Sequence, residues 1–242
     1  AVKVGCVSDP VGLSIGTTTL VAARVGAHPV LRRCVLTVYS HRPPEVGLPS
    51  QNPNLNESGL VLRGFVDRVG DPVPLVAADG SAHPADRLLV DALSAMVDTV
   101  GKPSEVTIAV PAYWAPSTVR ALSNALARDR RLTPAGTTPR LVSDAEAAMV
   151  ALQTQPGLTS DGTVVLFDLG GSGTSITLMD AAGGFRQIAD TVRHPDFSGD
   201  QIDQAMLSAV LQQLTGSGAA DAAATAAVGS LARLRDACRQ AK

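Results

Sequence analysis

Aromatic side chains are scarce in this chain: one Trp, two Tyr and four Phe among 242 residues. A core here must be built mainly from Ala, Val and Leu. A dominant charge is also lacking, since 20 Lys and Arg face 22 Asp and Glu, for a net charge of −2. That balance gives no reason to expect nucleic acid or an anionic membrane surface as partner. The short arginine clusters at Arg32-Arg33 and Arg128 to Arg131 read as solvated faces. The three cysteines, Cys6, Cys34 and Cys238, form no C-x-x-C pair, which argues against a zinc site or a disulfide framework. No apolar run approaches the roughly 20 residues that span a bilayer. Ala1–Pro10 lacks the pattern of a secretory signal. A soluble, cytoplasmic chain with free thiols is expected.

The length allows one large domain or two small ones. Short β-branched runs at Val11–Ile15, Thr19–Val25 and Val30–Val38, separated by Gly or Pro, predict antiparallel strands. Ser40–Gly80 is rich in Pro, Asn, Gly and Asp, so a loop-rich subdomain is expected there, with a short apolar piece at Leu60–Val69. After Pro84 the apolar residues Leu88, Leu89, Ala92, Leu93, Met96, Val97 and Val100 recur at helical spacing. Val106–Val110 predicts a buried strand, Pro116 opens a second helix, and Arg140–Val142 leads into a third at Ala145–Leu152. Gln155–Gly162 is the best linker. Strands follow at Thr163–Phe167 and Ser175–Met179, then a helix around Ile202–Val210 and an Ala-rich helix to Lys242. A Gly-turn hairpin followed by helices occurs twice, which suggests two related lobes.

Two glycine turns carry the chemistry. The first is Ser14-Ile15-Gly16-Thr17-Thr18-Thr19, and the second is Asp168-Leu169-Gly170-Gly171-Ser172-Gly173. Glycine admits close approach of backbone to phosphate and positive φ, so successive N–H groups can converge on an anion. Ser and Thr hydroxyls add donors. A carboxylate at the strand end can hold a hydrated Mg²⁺ bridging phosphate oxygens. Either turn alone is better read as a structural hairpin; a pair of them would form opposing jaws on a polyphosphate. The chain has no G-x-x-x-x-G-K-[ST] and no complete G-x-G-x-x-G between strand and helix, which excludes a P-loop and argues against a dinucleotide fold. Gly170–Thr174 only half matches a nucleophile elbow. His28, His41, His83 and His194 sit in loop-like stretches and suggest no metal or triad role.

These segments, in this order, resemble the actin-like nucleotide-binding domain of the seventy-kilodalton heat-shock chaperones. Leu13–Thr18 resembles that family's first phosphate motif, Ile-Asp-Leu-Gly-Thr-Thr. Val106–Tyr113 is similar to its Ala-Val-Ile-Thr-Val-Pro-Ala-Tyr, and Leu141–Met149 to its hinge motif. Phe167–Gly173 resembles the second phosphate motif, Tyr-Asp-Leu-Gly-Gly-Gly-Thr. Ser198–Asp203 and Leu234–Lys242 extend the likeness to the end of the sequence. The resemblance implies an α/β, actin-like ATPase (ribonuclease H-like) fold. Residues 1–157 would be a complete first lobe, with a reduced subdomain at about 40–101, and residues 158–242 part of a second lobe. It also implies ATP or ADP with Mg²⁺ as ligands. Gly16, Thr17 and Thr18 would line the phosphates from the first lobe, and Gly170, Gly171, Ser172 and Gly173 from the second. Ser198 and Gly199 would close the site and Lys242 would approach the ribose. Asp168 would organise Mg²⁺ or the attacking water, with Asp144 near that water.

The departures from the family pattern bear on hydrolysis. Ser14 stands where the family has a Mg²⁺-organising Asp, and Asp67 where it has a catalytic Lys. Ala145 replaces the hinge Pro, Gly173 a Thr, Ser175 an Asp, and Arg239 a Glu near the ribose. Positioning and electrostatics supply nearly all of phosphoryl-transfer catalysis, and each lost charge costs roughly 10²–10³ in rate. The expectation is therefore a bacterial, degenerate member that binds ATP weakly, hydrolyses little or none, and serves as an interaction or regulatory module. A working Mg²⁺-dependent chaperone ATPase and a scaffold that binds no nucleotide are the alternatives. The sequence identifies no client or protein partner. It is also expected to stop within the second lobe, before the family's adenosine segment.

Overall fold

Alternation makes the first strand: Val11, Leu13 and Ile15 point into the core while Gly12 and Ser14 do not. A computed structural model describes residues 9–133, 136–153, 155–216, 234–235 and 237–238. β1 (Val11–Ile15) turns back at Gly16 into antiparallel β2 (Thr19–Arg24), which pairs with β3 (Val30–Arg33). A single strand is expected over Val30–Val38, but the structure breaks it at Cys34. The Cys34 N–H donates to Thr18 O at 2.9 Å, which holds the chain against the first turn. Beyond it β4 (Val35–Val38) joins β5 (Glu45–Val46) and β6 (Leu60–Arg63) in a separate three-stranded sheet. Likewise Leu60–Val69 is strand only to Arg63: Gly64 at φ 70° ends it, and a 3-10 turn at Val66–Arg68 buries Phe65 and Val66. A hairpin of β7 (Leu75–Val76) and β8 (Ala82–His83) completes this loop-rich region.

The extended Pro84 precedes α1 (Ala85–Val100), and Gly101 at φ 85° ends it with its N–H on Val97 O. Ten of its sixteen residues are buried, because α1 packs on β1–β3, on β5 and on α2 at once. Leu89, Leu93 and Met96 are fully buried here, each stabilising by about 1.5–3 kcal/mol over an exposed side chain. β9 (Val106–Val110) then runs parallel to β1, α2 (Pro116–Leu126) crosses back, and β10 (Arg140–Ser143) runs parallel to β9. The resulting order, β10-β9-β1-β2-β3, is a mixed five-stranded sheet with helical crossovers between its parallel strands. This is the α/β arrangement expected of the actin-like ATPase fold.

α3 (Asp144–Leu152) follows β10 directly. A second sheet contains β11 (Thr163–Leu169), β12 (Thr174–Asp180), β13 (Arg186–Gln187) and β14 (Val192–His194), in the order β11-β12-β13 with β14 also on β12. Ala145 and Met149 of α3 form a small core with Met179, Ala181 and Phe185. α4 (Gly199–Gly216) comes last among the described elements. The chain divides into two compact units, Ala1–Leu166 with Ile176–Val192, and Phe167–Ser175 with Arg193–Lys242.

Candidate functional site

The two glycine turns share one backbone device. A Cβ at Gly16 would lie 2.7 Å from Thr19 O, and one at Gly170 would lie 2.8 Å from Gly173 O. In each turn, then, the carbonyl three residues on folds over the glycine. Neither glycine, nor Gly173, has φ in the left-handed region. The positive φ offered above as a reason for glycine is not what these positions require; the close carbonyl is. The correspondence also aligns the strand ends, for Ser14 lies two residues before Gly16 and Asp168 two before Gly170.

In the unit that holds the second turn, α4 begins against it. The N–H groups of Gly199 and Asp200 donate to Gly170 O and Gly171 O at 3.0 and 2.8 Å. Ser198 Oγ accepts the Gln201 N–H at 3.2 Å, the geometry of an N-cap, and Thr174 Oγ donates to Phe197 O at 2.8 Å. Ser198 and Gly199 thus meet Gly170 and Gly171, although the Gly199 and Asp200 N–H groups are directed at turn carbonyls. Ser172 is half-buried, and its Oγ accepts from Arg193 Nη2 at 2.7 Å. Asp168 is exposed, and its carboxylate has no hydrogen bond or ion pair among the described residues. Beside the turn, Leu169, Phe197 and Ile202 line a cavity of about 230 Å³. That is below the roughly 300–1,000 Å³ of ordinary ligand pockets, so ligand capture here would depend on the turn's polar groups.

In the other unit, the half-buried Thr17 and Thr18 follow Gly16, and Thr18 O accepts from Cys34. Burial pushes the Cys34 thiol up to about 12, with the Asp67 carboxylate adding to the rise and Arg33 opposing it. The charge at Asp67 is therefore felt at the residue tied to the first turn. Arg68 does not offset it there: its guanidinium is held by Asp71 Oδ2 at 2.8 and 2.9 Å and by Val73 O at 2.8 Å. The Val73 N–H and Arg68 in turn keep the Asp71 carboxyl below its ordinary range. Asp144, the first residue of α3, accepts the Ala112 N–H on Oδ1 at 2.8 Å, and Ala145 is buried in the small core. Lys242 and Arg239 lie outside the described residues.

Sequence reasoning passed over Arg193. It stands 20 positions beyond Gly173 in no motif, and the signal for it was indirect. Gly173 and Ser175, both departures from the family pattern, are residues it touches. For Mg²⁺, no three His, Cys, Asp or Glu side chains converge among the described residues. Mg²⁺ ordinarily takes one or two carboxylates, water and substrate phosphate, and Asp168 beside Gly170 fits that donor set. No helix among the described residues is long and apolar enough to cross a membrane.

Comparison with known proteins adds one finding. The family model described as Hsp70 protein matches residues 81–242, a span that takes in Asp144, Asp168, the second turn and Ser198. No curated protein matches the chain.

Proposed function

The chain belongs to the Hsp70 family, and from that premise we propose that it is a chaperone-like nucleotide-binding domain that holds ATP or ADP weakly and hydrolyses little. One observation carries this reading. Two turns that share a carbonyl folded close over the glycine differ in the residue two positions before it: the second has the carboxylate Asp168 and the first has Ser14. Backbone donors and small residues that admit a phosphate are kept in both. The charge that would organise Mg²⁺ is kept in one.

Within the second turn, Gly170, Gly171, Ser172 and Gly173 would contact phosphate, and Asp168 would hold the hydration shell of Mg²⁺. Bound Mg²⁺ would neutralise phosphate charge. In the first turn, Gly16, Thr17 and Thr18 would contribute donors. Three features disfavour turnover. Ser14 offers no carboxylate, Asp67 places negative charge near the first turn, and one oxygen of Asp144 is committed to the Ala112 N–H. Such a domain would act by binding a protein partner in a nucleotide-dependent way.

Calorimetric titration of the chain with Mg·ATP and Mg·ADP tests binding, and phosphate release tests turnover. Binding in the micromolar range or weaker is expected, with release close to background. The double variant Ser14→Asp, Asp67→Lys should raise turnover by roughly 10²-fold or more, since each restored charge is of the size that shifts rates by 10²–10³. No heat with either nucleotide would reject the reading. A working ATPase gains support only from the exposed Asp168; steady wild-type turnover abolished by Asp168→Asn would establish it instead.

A further inference from the structure

Arg193 leaves β14 and reaches back over the second glycine turn. Its Nη2 donates to Ser172 Oγ at 2.7 Å and its Nη1 to Ser175 Oγ at 3.4 Å. Gly173 lies beneath it: a Cβ there would sit 3.0 Å from Cζ, 3.1 Å from Nη2 and 3.1 Å from His194 O. Glycine at 173 is therefore the space that the guanidinium fills.

The turn's own dipoles can be placed as well. Gly170 O and Gly171 O face the first N–H groups of α4. In a planar trans peptide the N–H points opposite to the carbonyl of the same unit. The N–H groups of Gly171 and Ser172 are consequently directed away from α4. Two successive N–H groups, a serine hydroxyl and a guanidinium thus belong to one four-residue turn and the arginine packed on it. Donors of these kinds are what an anion receptor is built from, and the planar fork of arginine matches two phosphate oxygens. A hydroxyl that accepts from a cation is polarised to donate its own proton onward. Asp168, shortly before the turn, and Asp190 and Asp196, each three residues from Arg193, are the carboxylates nearest in the chain to these groups, so a phosphate arriving with Mg²⁺ is favoured over a bare one.

We propose that Arg193, with Ser172, is the phosphate-binding cation of the second turn. It gives the domain a positive charge on the polyphosphate from an arginine carried by this unit. The proposal rests on the nucleotide reading above and deepens it.

The test is titration calorimetry of the whole chain with Mg·ADP and, separately, with Mg·tripolyphosphate. Wild type is compared with Arg193→Ala, Arg193→Lys and Ser172→Ala. Arg193→Ala should weaken both ligands roughly ten- to a hundredfold, the size of a lost charge-assisted bond. Arg193→Lys should recover part of that loss, because charge remains without the fork. Ser172→Ala should keep the ligand-free melting temperature and weaken both ligands a few-fold. Equal affinities for wild type and Arg193→Ala would overturn the proposal and leave the nucleotide reading standing. Normal affinities in Arg193→Lys and Ser172→Ala, with a lowered melting temperature in Arg193→Ala, would reduce Arg193 to a brace and also overturn it. Wild-type binding of tripolyphosphate without binding of ADP would reject the nucleotide and keep the anion receptor. Binding of neither would reject both.

Discussion

Cys34 joins three features in one residue: it ends β3, ties the chain to Thr18, and senses Asp67. Its thiol is 5 % exposed and raised from 9.0 to about 12. A raised thiol value means that the unfolded chain ionises first. The stabilisation is therefore complete below pH 9 and is lost as pH rises from 9 to 12, at up to about 1.4 kcal/mol per pH unit. Urea midpoints at pH 8, 9 and 10 should fall more steeply for wild type than for Cys34→Ala. Iodoacetamide at pH 8 should leave Cys34 unmodified in the native protein; labelling at the rate of a free thiol would contradict this account. At this scale the sequence was informative where chemistry is written in motifs. The tight turns at Gly16 and Gly170 could be read from their neighbours alone. Arg193 could not, because its role depends on β14 returning beside β12, a pairing that no local pattern announces. Nor could the commitment of Asp144 to Ala112, which lies 32 positions away.

Elements followed their periodicity closely where the core enforced it. α1 was legible from its apolar spacing, and β1, β9 and β10 from β-branched runs, since burial on a sheet demands those patterns. The misreadings lie where one apolar run serves two sheets. Val30–Val38 has no residue that marks a break, yet the bond from the Cys34 N–H to Thr18 O divides it into β3 and β4. α4 shows the opposite case, a boundary set by a small polar residue. Ser198 is 4 % exposed and caps the helix that abuts the second turn. Ser198→Ala should cost about 1 kcal/mol in a urea titration, the usual value of a lost N-cap. It should also weaken Mg·ADP binding, because Gly199 and Asp200 hold the turn carbonyls through the same helix start. A variant as stable as wild type would show that the cap does not order this helix.

For the whole molecule, family membership and chemistry point in different directions. The match over residues 81–242 and the five-stranded sheet agree with a nucleotide-binding domain of the Hsp70 family. Ser14 of the first turn and Asp67 lie before the matched span, so two of the departures expected to remove hydrolysis fall outside it. Fold was legible early because many segments agree in order, and a lost charge at one position does not disturb packing. Activity depends on a few charges placed to within ångströms, so the same residues that leave the fold intact decide the function. The most direct measurement is a single-turnover experiment with γ-labelled ATP, Mg²⁺ and protein in excess, following bound nucleotide and released phosphate together. ATP retained on the protein and still intact after hours is the predicted result. Conversion of bound ATP to ADP within minutes, or no retained nucleotide at any protein concentration, would contradict it.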